Sequence, residues 1–206
     1  KYKITFSSPE GYLYGESETE CSIYISPGEY IDSYSTPSLN TRDGYCFLGW
    51  KVEGDTTVPY YTDSNSYSPY GYPISYYTPT GDTTFVAVWN ETVTVTYDAD
   101  GGKFSGESTT QRYQTIPKGN AIGSGYYTPT RSGDFKFLGY KIDGDDSSKL
   151  YVTKTSGLGT DEVSISTYKP EEDITFVAVW GDTVQVTFES DEGYVGGSSA
   201  SSTKSY

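Results

Sequence analysis

The sequence predicts a mainly β protein, α+β at most, built as tandem repeat modules with little helix. Three observations lead there. The hexapeptide Thr84-Phe85-Val86-Ala87-Val88-Trp89 returns letter for letter as Thr175-Phe176-Val177-Ala178-Val179-Trp180, 91 residues later, and a fixed period of that size marks an array of similar units. Short runs alternate apolar and polar residues, as Tyr2, Ile4 and Phe6 do around Lys3 and Thr5, which is the period of a half-buried strand. Helix signals are thin. Thr160-Asp161-Glu162 has the composition of a helix start, but β-branched and serine residues follow through Tyr168, so a single turn is expected there.

In chain order, Tyr2–Phe6 is the first expected strand, ended by the turn chemistry of Ser7-Ser8-Pro9-Glu10-Gly11. Cys21–Ile25 alternates again and stops at Pro27-Gly28, which reads as a hairpin with a long connection. Tyr45–Val52 follows, and Gly49 before Trp50 marks a bulge or a close backbone approach. Residues 53–82 are loop-rich, and Thr84–Trp89 closes the unit. The plan then repeats as Val93–Tyr97, Gln111–Ile116 stopped by Pro117, Phe135–Ile142 and Ile174–Trp180.

Phe6, Tyr97 and Phe188 keep the 91-residue step, so Val186-Thr187-Phe188 starts a third unit. The expected organisation is residues 1–91 as repeat unit one, 92–181 as repeat unit two and 182–206 as the truncated start of a third repeat. A repeat cut inside its second strand cannot close its own sheet, so residues after about Gly197 are expected to fray. The opening directly on Lys1–Phe6 fits a mature or excised fragment whose export and anchoring signals lie elsewhere.

The chain carries 14 Lys+Arg against 28 Asp+Glu, a formal charge of −14. Such a chain repels phosphate backbones and anionic membranes, so no nucleic acid partner is expected. No run approaches the length of a membrane span, so no membrane insertion is expected within this segment. Charge is uneven: residues 1–91 hold four basic and twelve acidic side chains, residues 92–181 nine and twelve. The units therefore share a scaffold but not a surface. Histidine is absent, which excludes Ser-His-Asp and Cys-His nucleophiles and imidazole metal ligands. A glycosidase-type carboxylate pair needs no histidine, but nothing in the sequence singles out two acids. No enzyme activity and no cofactor are expected.

Three motifs in fixed order carry a resemblance. Val95-Thr96-Tyr97-Asp98-Ala99-Asp100-Gly101-Gly102, Gly44-Tyr45-Cys46-Phe47-Leu48-Gly49-Trp50 and Phe85-Val86-Ala87-Val88-Trp89 resemble the Listeria–Bacteroides repeat family, which includes the B-repeat of internalin B. The chain departs from that pattern at Ser7-Ser8-Pro9, at Asp134-Phe135 and at Tyr140 in place of the motif Trp. The resemblance implies a β-grasp-like module strung in arrays on secreted or cell-surface bacterial proteins. It further implies a non-catalytic role as an adhesion or spacer/stalk module, in contact with protein or glycan at the cell surface.

Trp50, Trp89 and Trp180 could stack on sugars, but they recur at repeated strand positions, as packing alone requires. The expected structural core is Phe47, Trp50, Phe85, Trp89, Phe137, Tyr140, Phe176 and Trp180. Tyr60, Tyr61, Tyr67, Tyr70 and Tyr72 sit in a Tyr/Ser/Gly/Asn-rich stretch typical of adaptable binding loops. The matching stretch of unit two, Lys149–Gly159, holds only Tyr151, so the fold does not require them. The stretch is either a ligand-contact loop, which would make the protein a carbohydrate-binding module, or a cover over its own thin core. Asp98–Gly102 and Asp143–Asp146 lack the ligand order of an EF-hand and suit tight turns, so no metal is expected. Cys21 and Cys46, placed on adjacent expected strands, are either a disulfide, given Cα atoms within about 7 Å, or two thiols with Cys46 pointing outward.

Overall fold

Each alternating run named above becomes a strand. A computed structural model of the chain describes residues 1–13, 17–32, 35–39, 42–56, 60–62, 71–104, 108–183, 185–189 and 201–205. The strands are β1 (Tyr2–Ser7), β2 (Glu20–Ile25), β3 (Tyr45–Val52), β4 (Tyr60–Thr62), β5 (Gly71–Pro73) and β6 (Thr83–Asp98). Next come β7 (Lys103–Phe104), β8 (Gln111–Pro117), β9 (Pro129–Thr130), β10 (Phe135–Ile142), β11 (Leu150–Val152), β12 (Glu162–Ser164) and β13 (Ile174–Asp182). The last are β14 (Gln185–Glu189) and β15 (Ser201–Ser205). The protein is mainly β: helix among the described residues is confined to two single 3₁₀ turns, Ile74–Tyr76 and Ile165–Thr167.

The chain forms two compact units, Lys1–Val93 with Ile116–Lys118, and Thr94–Thr115 with Gly119–Tyr206. In the first, the strand order is β2-β1-β6-β3-β4-β5. β1 lies parallel to the start of β6, pairing Ile4 with Thr83 through Ser7 with Val86. β3 runs antiparallel to β6 and slips register between Phe47 and Gly49. In the second unit the order is β8-β6-β13-β10-β11-β12. Here the end of β6 lies parallel to β13, pairing Val95 with Ile174 through Asp98 with Val177. β10 runs antiparallel to β13 and slips between Phe137 and Gly139. Smaller antiparallel pairs join β7 to β9 and β14 to β15.

The two cores correspond one for one. Ile4, Phe6, Leu13, Ile31, Trp50, Ile74, Phe85 and Ala87 are buried together in the first. Buried Val95, Tyr97, Phe104, Ile122, Tyr140, Ile165, Phe176 and Ala178 hold the same strand and turn positions in the second. Hydrogen bonds correspond too. The Lys3 N–H donates to Asp82 Oδ1 at 2.8 Å and the Thr94 N–H to Asp173 Oδ1 at 2.7 Å, both pairs 79 residues apart in sequence.

Four expectations need correction. Thr84–Trp89 and Val93–Tyr97 are one strand, because Asn90-Glu91-Thr92 holds no glycine or proline to break the extended backbone. The stretch after β3 holds β4 and β5 rather than loop alone, and β4 pairs Tyr61 with Trp50. The turn expected from Thr160 begins only at Ile165, because Glu162–Ser164 pairs in parallel with β11, where β-branched residues favour a strand. Likewise Ser201–Ser205 does not fray but pairs with β14.

Candidate functional site

Of the eight residues expected in the core, Trp50, Phe85, Tyr140 and Phe176 are fully buried, while Phe47, Trp89, Phe137 and Trp180 are half-buried. The half-buried four form paired edges: Phe47 meets Trp89 and Phe137 meets Trp180, each at 5.7 Å between centroids. The closing tryptophan has a local task. A Cβ added at Gly102 would stand 2.5 Å from Trp180 Cζ2, and one at Gly11 would stand 2.5 Å from Trp89 Cζ2. Each indole therefore lies on the glycine of its unit's first turn, and a side chain there would displace it. Trp180 Nε1 also donates to Ala99 O and Asp100 O, both at 3.1 Å, whereas Trp89 Nε1 is buried without a partner among the described residues.

Tyr140 takes the place of Trp50 and donates its hydroxyl to Tyr127 O at 2.6 Å. Tyr97 takes the place of Phe6 and donates to Gln114 Oε1 at 3.0 Å. Burial pushes both hydroxyls far above the ordinary phenol range, with the nearby Tyr127 adding to the shift of Tyr97 and Tyr97 to that of Tyr140. They stay neutral across the physiological range and serve packing.

The tyrosine stretch is only partly within the described residues, since Tyr67 and Tyr70 lie outside them. Tyr60 and Tyr61 lie on β4, and Tyr72 on β5 is exposed. The structure adds four further exposed tyrosines of the first unit, Tyr12, Tyr24, Tyr30 and Tyr76. Two of these directly precede residues joined by a backbone hydrogen bond. The Ile31 N–H donates to Tyr77 O at 3.4 Å, and the preceding residues, Tyr30 and Tyr76, are 61% and 74% exposed. Acidic Glu29 and Asp32 flank Tyr30, each anchored at a turn: Ser26 N–H donates to Glu29 Oε2 at 3.2 Å and Ser35 Oγ to Asp32 Oδ2 at 3.3 Å.

The second unit has no aromatic residue at the places of these five exposed rings. At a step of 91, Tyr12, Tyr24, Tyr30, Tyr72 and Tyr76 correspond to Lys103, Thr115, Ala121, Val163 and Thr167. The second unit builds the same backbone without an aromatic side chain at any of them. Aligning the two halves of the sequence position by position would have found the set. Searching for dense tyrosine runs found only Tyr72 of the five.

The remaining candidates have structural tasks. Asp98 Oδ1 accepts from the Asp100 N–H and Oδ2 from Gln111 Nε2, both at 2.8 Å. Asp145 accepts from the N–H and Oγ of Ser147, also at 2.8 Å, and these bonds hold its carboxyl below the usual range. Both carboxylates thus close turns. Among the described residues no group of three or more His, Cys, Asp or Glu side chains is arranged to hold a metal ion. Cys21 and Cys46 are not bridged. Their strands are not adjacent, as β1 and β6 separate β2 from β3, so three strand spacings of about 4.8 Å put them at least ~14 Å apart. Cys46 pairs with Asn90 on the face opposite Phe47 and Trp89, as expected, yet it is buried there; its Sγ lies 3.6 Å from Asn90 O, and burial pushes its thiol up. No protein-family model matches the chain, and no curated protein or solved structure matches it.

Proposed function

We propose that this chain is a non-catalytic segment of an exported bacterial cell-surface protein, made of tandem β-grasp-like repeats of the Listeria–Bacteroides type. It acts as a spacer that also makes adhesive contacts through the tyrosine surface of its first unit. The observation that carries this reading is the contrast between the units. Strand order, bulge position and buried core correspond residue by residue, as duplication of one module would produce. The five exposed tyrosines have no aromatic counterpart. A scaffold that needs no aromatic residue at those positions, yet keeps five there, is under some other demand. Tyrosine supplies large amphipathic contact area at low entropic cost. The family resemblance gains support from a physical reason for its first and last motifs: the closing Trp180 sits on the glycine of the Asp-x-x-Gly-Gly turn and bonds its carbonyls.

The partner is a protein or glycan of the cell surface. A carbohydrate-binding module is the second reading, favoured by the exposure of Tyr30 and Tyr76 on either side of one backbone hydrogen bond, since aromatic faces suit pyranose rings. Protein and glycan arrays probed with the whole chain and with Tyr30→Ser/Tyr76→Ser test both. Saturable binding that disappears in the double variant is expected, and signal confined to glycans would favour the second reading. Binding unchanged in the variant would remove the tyrosine surface from the account. Turnover of any arrayed glycan would overturn the non-catalytic assignment.

A further inference from the structure

Arg131 borders a cleft of about 390 Å³ in the second unit, lined also by Asp100, Phe135, Lys141, Val179 and Trp180. Its guanidinium lies 4.0 Å from the Phe135 ring centroid and 6.0 Å from that of Trp180. Stacking of this kind holds the plane still while leaving the N–H edge available. Among the described residues no carboxylate pairs with it.

The first unit has the same arrangement in a completed form. Arg42 lies 3.6 Å over the Tyr45 ring, and its Nη1 meets Glu10 Oε2 at 2.7 Å. At the 91-residue step Glu10 becomes Gly101. A Cβ built on Gly101 would stand 3.4 Å from Arg131 Cζ, so the missing side chain is the one that would have reached the guanidinium. Unit one therefore displays, within its own chain, the group that the cleft of unit two lacks.

We propose that the Arg131 cleft binds a glutamate side chain of a partner polypeptide, in the manner that Arg42 holds Glu10. The carboxylate takes the N–H edge of the guanidinium in a charge-assisted pair, and the side-chain methylenes lie against Val179 and Trp180. Lys141 adds a second positive charge and Asp100 opposes it. The whole chain carries −14, which repels an acidic partner at long range. Recognition is consequently a contact effect, since screening at physiological salt damps the repulsion beyond about 8 Å. The site is independent of the tyrosine surface, so either can fail without the other.

The test is an NMR titration of the whole chain with an acetylated, amidated Gly-Glu-Gly peptide, whose only charge is the glutamate carboxylate. The Arg131 Nε–H and the Phe135 amide are expected to shift with saturation, and the Gln analogue is expected to leave them still. R131Q should weaken binding by roughly tenfold or more, the size of one charge-assisted bond, and D100N should tighten it. E10Q, on an exposed side chain, should release Arg42 and add a second saturable response at Arg42 and Tyr45. Shifts that persist in R131Q, equal shifts from the Gln peptide, or an E10Q variant silent at Arg42 would each overturn the proposal. Tighter binding of glucuronate at the same resonances would also overturn it, in favour of a sugar acid.

Discussion

Ser8 and Ala99 occupy the same buried place in the two first turns, and only one of them suits it. The Ser8 hydroxyl is fully buried with no hydrogen-bond partner among the described residues, a condition that costs about 1–3 kcal/mol. Ser8→Ala copies the second unit and is expected to raise stability by about 1 kcal/mol, read as a higher denaturant midpoint. A fall in the midpoint would mean that the hydroxyl has a partner after all. The neighbouring indoles make a second, asymmetric pair. Trp180→Phe removes a donor bonded to two carbonyls and should cost about 1–3 kcal/mol. Trp89→Phe removes a donor with no partner and should cost less by about 1 kcal/mol. Equal losses in the two variants would show that ring packing alone decides both.

At the scale of elements, the Gly139 bulge decides where the β10 side chains point. Gly139 has φ +153°, and a Cβ there would stand 2.7 Å from the Tyr151 carbonyl oxygen of β11. Gly139→Ala should therefore push β11 away and cost about 1–3 kcal/mol of strain, visible as a lowered melting temperature and loss of the Tyr140–Tyr151 pairing in NMR. A wild-type melting temperature would place the bulge elsewhere. The Gly49 bulge was legible in the sequence because a glycine inside an alternating strand has few other uses, and Gly139 is its counterpart in the second unit. Strand neighbours were not. Alternation reports which face a residue takes, whereas pairing is set by contacts far apart in the chain. So Cys21 and Cys46 read as neighbours while two strands lie between them. The short parallel pairs β4–β5 and β11–β12 were invisible for the same reason, each strand being three residues long. Of the candidate surface, Tyr72 was legible from local composition. Tyr30 and Tyr76 precede residues joined by the Ile31–Tyr77 bond, a long-range pairing which no local pattern announces.

On the scale of the whole molecule, the units differ in what their cores can ionise. Phe6 and Trp50 carry no titratable group, but Tyr97 and Tyr140 in the same places do, and burial raises both. In the unfolded chain these phenols ionise near pH 10. Above that pH the unfolded state releases protons that the folded state still holds. Stability is therefore fully present below about pH 10 and declines as pH rises further. Above that pH the loss should be steeper in the second unit, which buries two such phenols, than in the first, whose buried Cys46 thiol is one raised group that acts from a lower pH. Tyr97→Phe should lessen the loss of stability between neutral and alkaline pH, whatever it does to stability at neutrality. An unchanged alkaline slope in that variant would contradict the buried, neutral phenol.

The parallel pairing of β1 with β6, and of β6 with β13, has a mechanical consequence. In each unit the entering strand and the closing strand lie side by side and point the same way. Tension applied through the two ends of a unit drags these strands past each other in shear. The hydrogen bonds from Ile4–Ser7 to Thr83–Val86 then bear load together, whereas a hairpin pulled from its open end yields one bond at a time. Stretched between bead and surface, each unit should hold its length and then give way abruptly, and gradual extension would contradict a shear-loaded clamp.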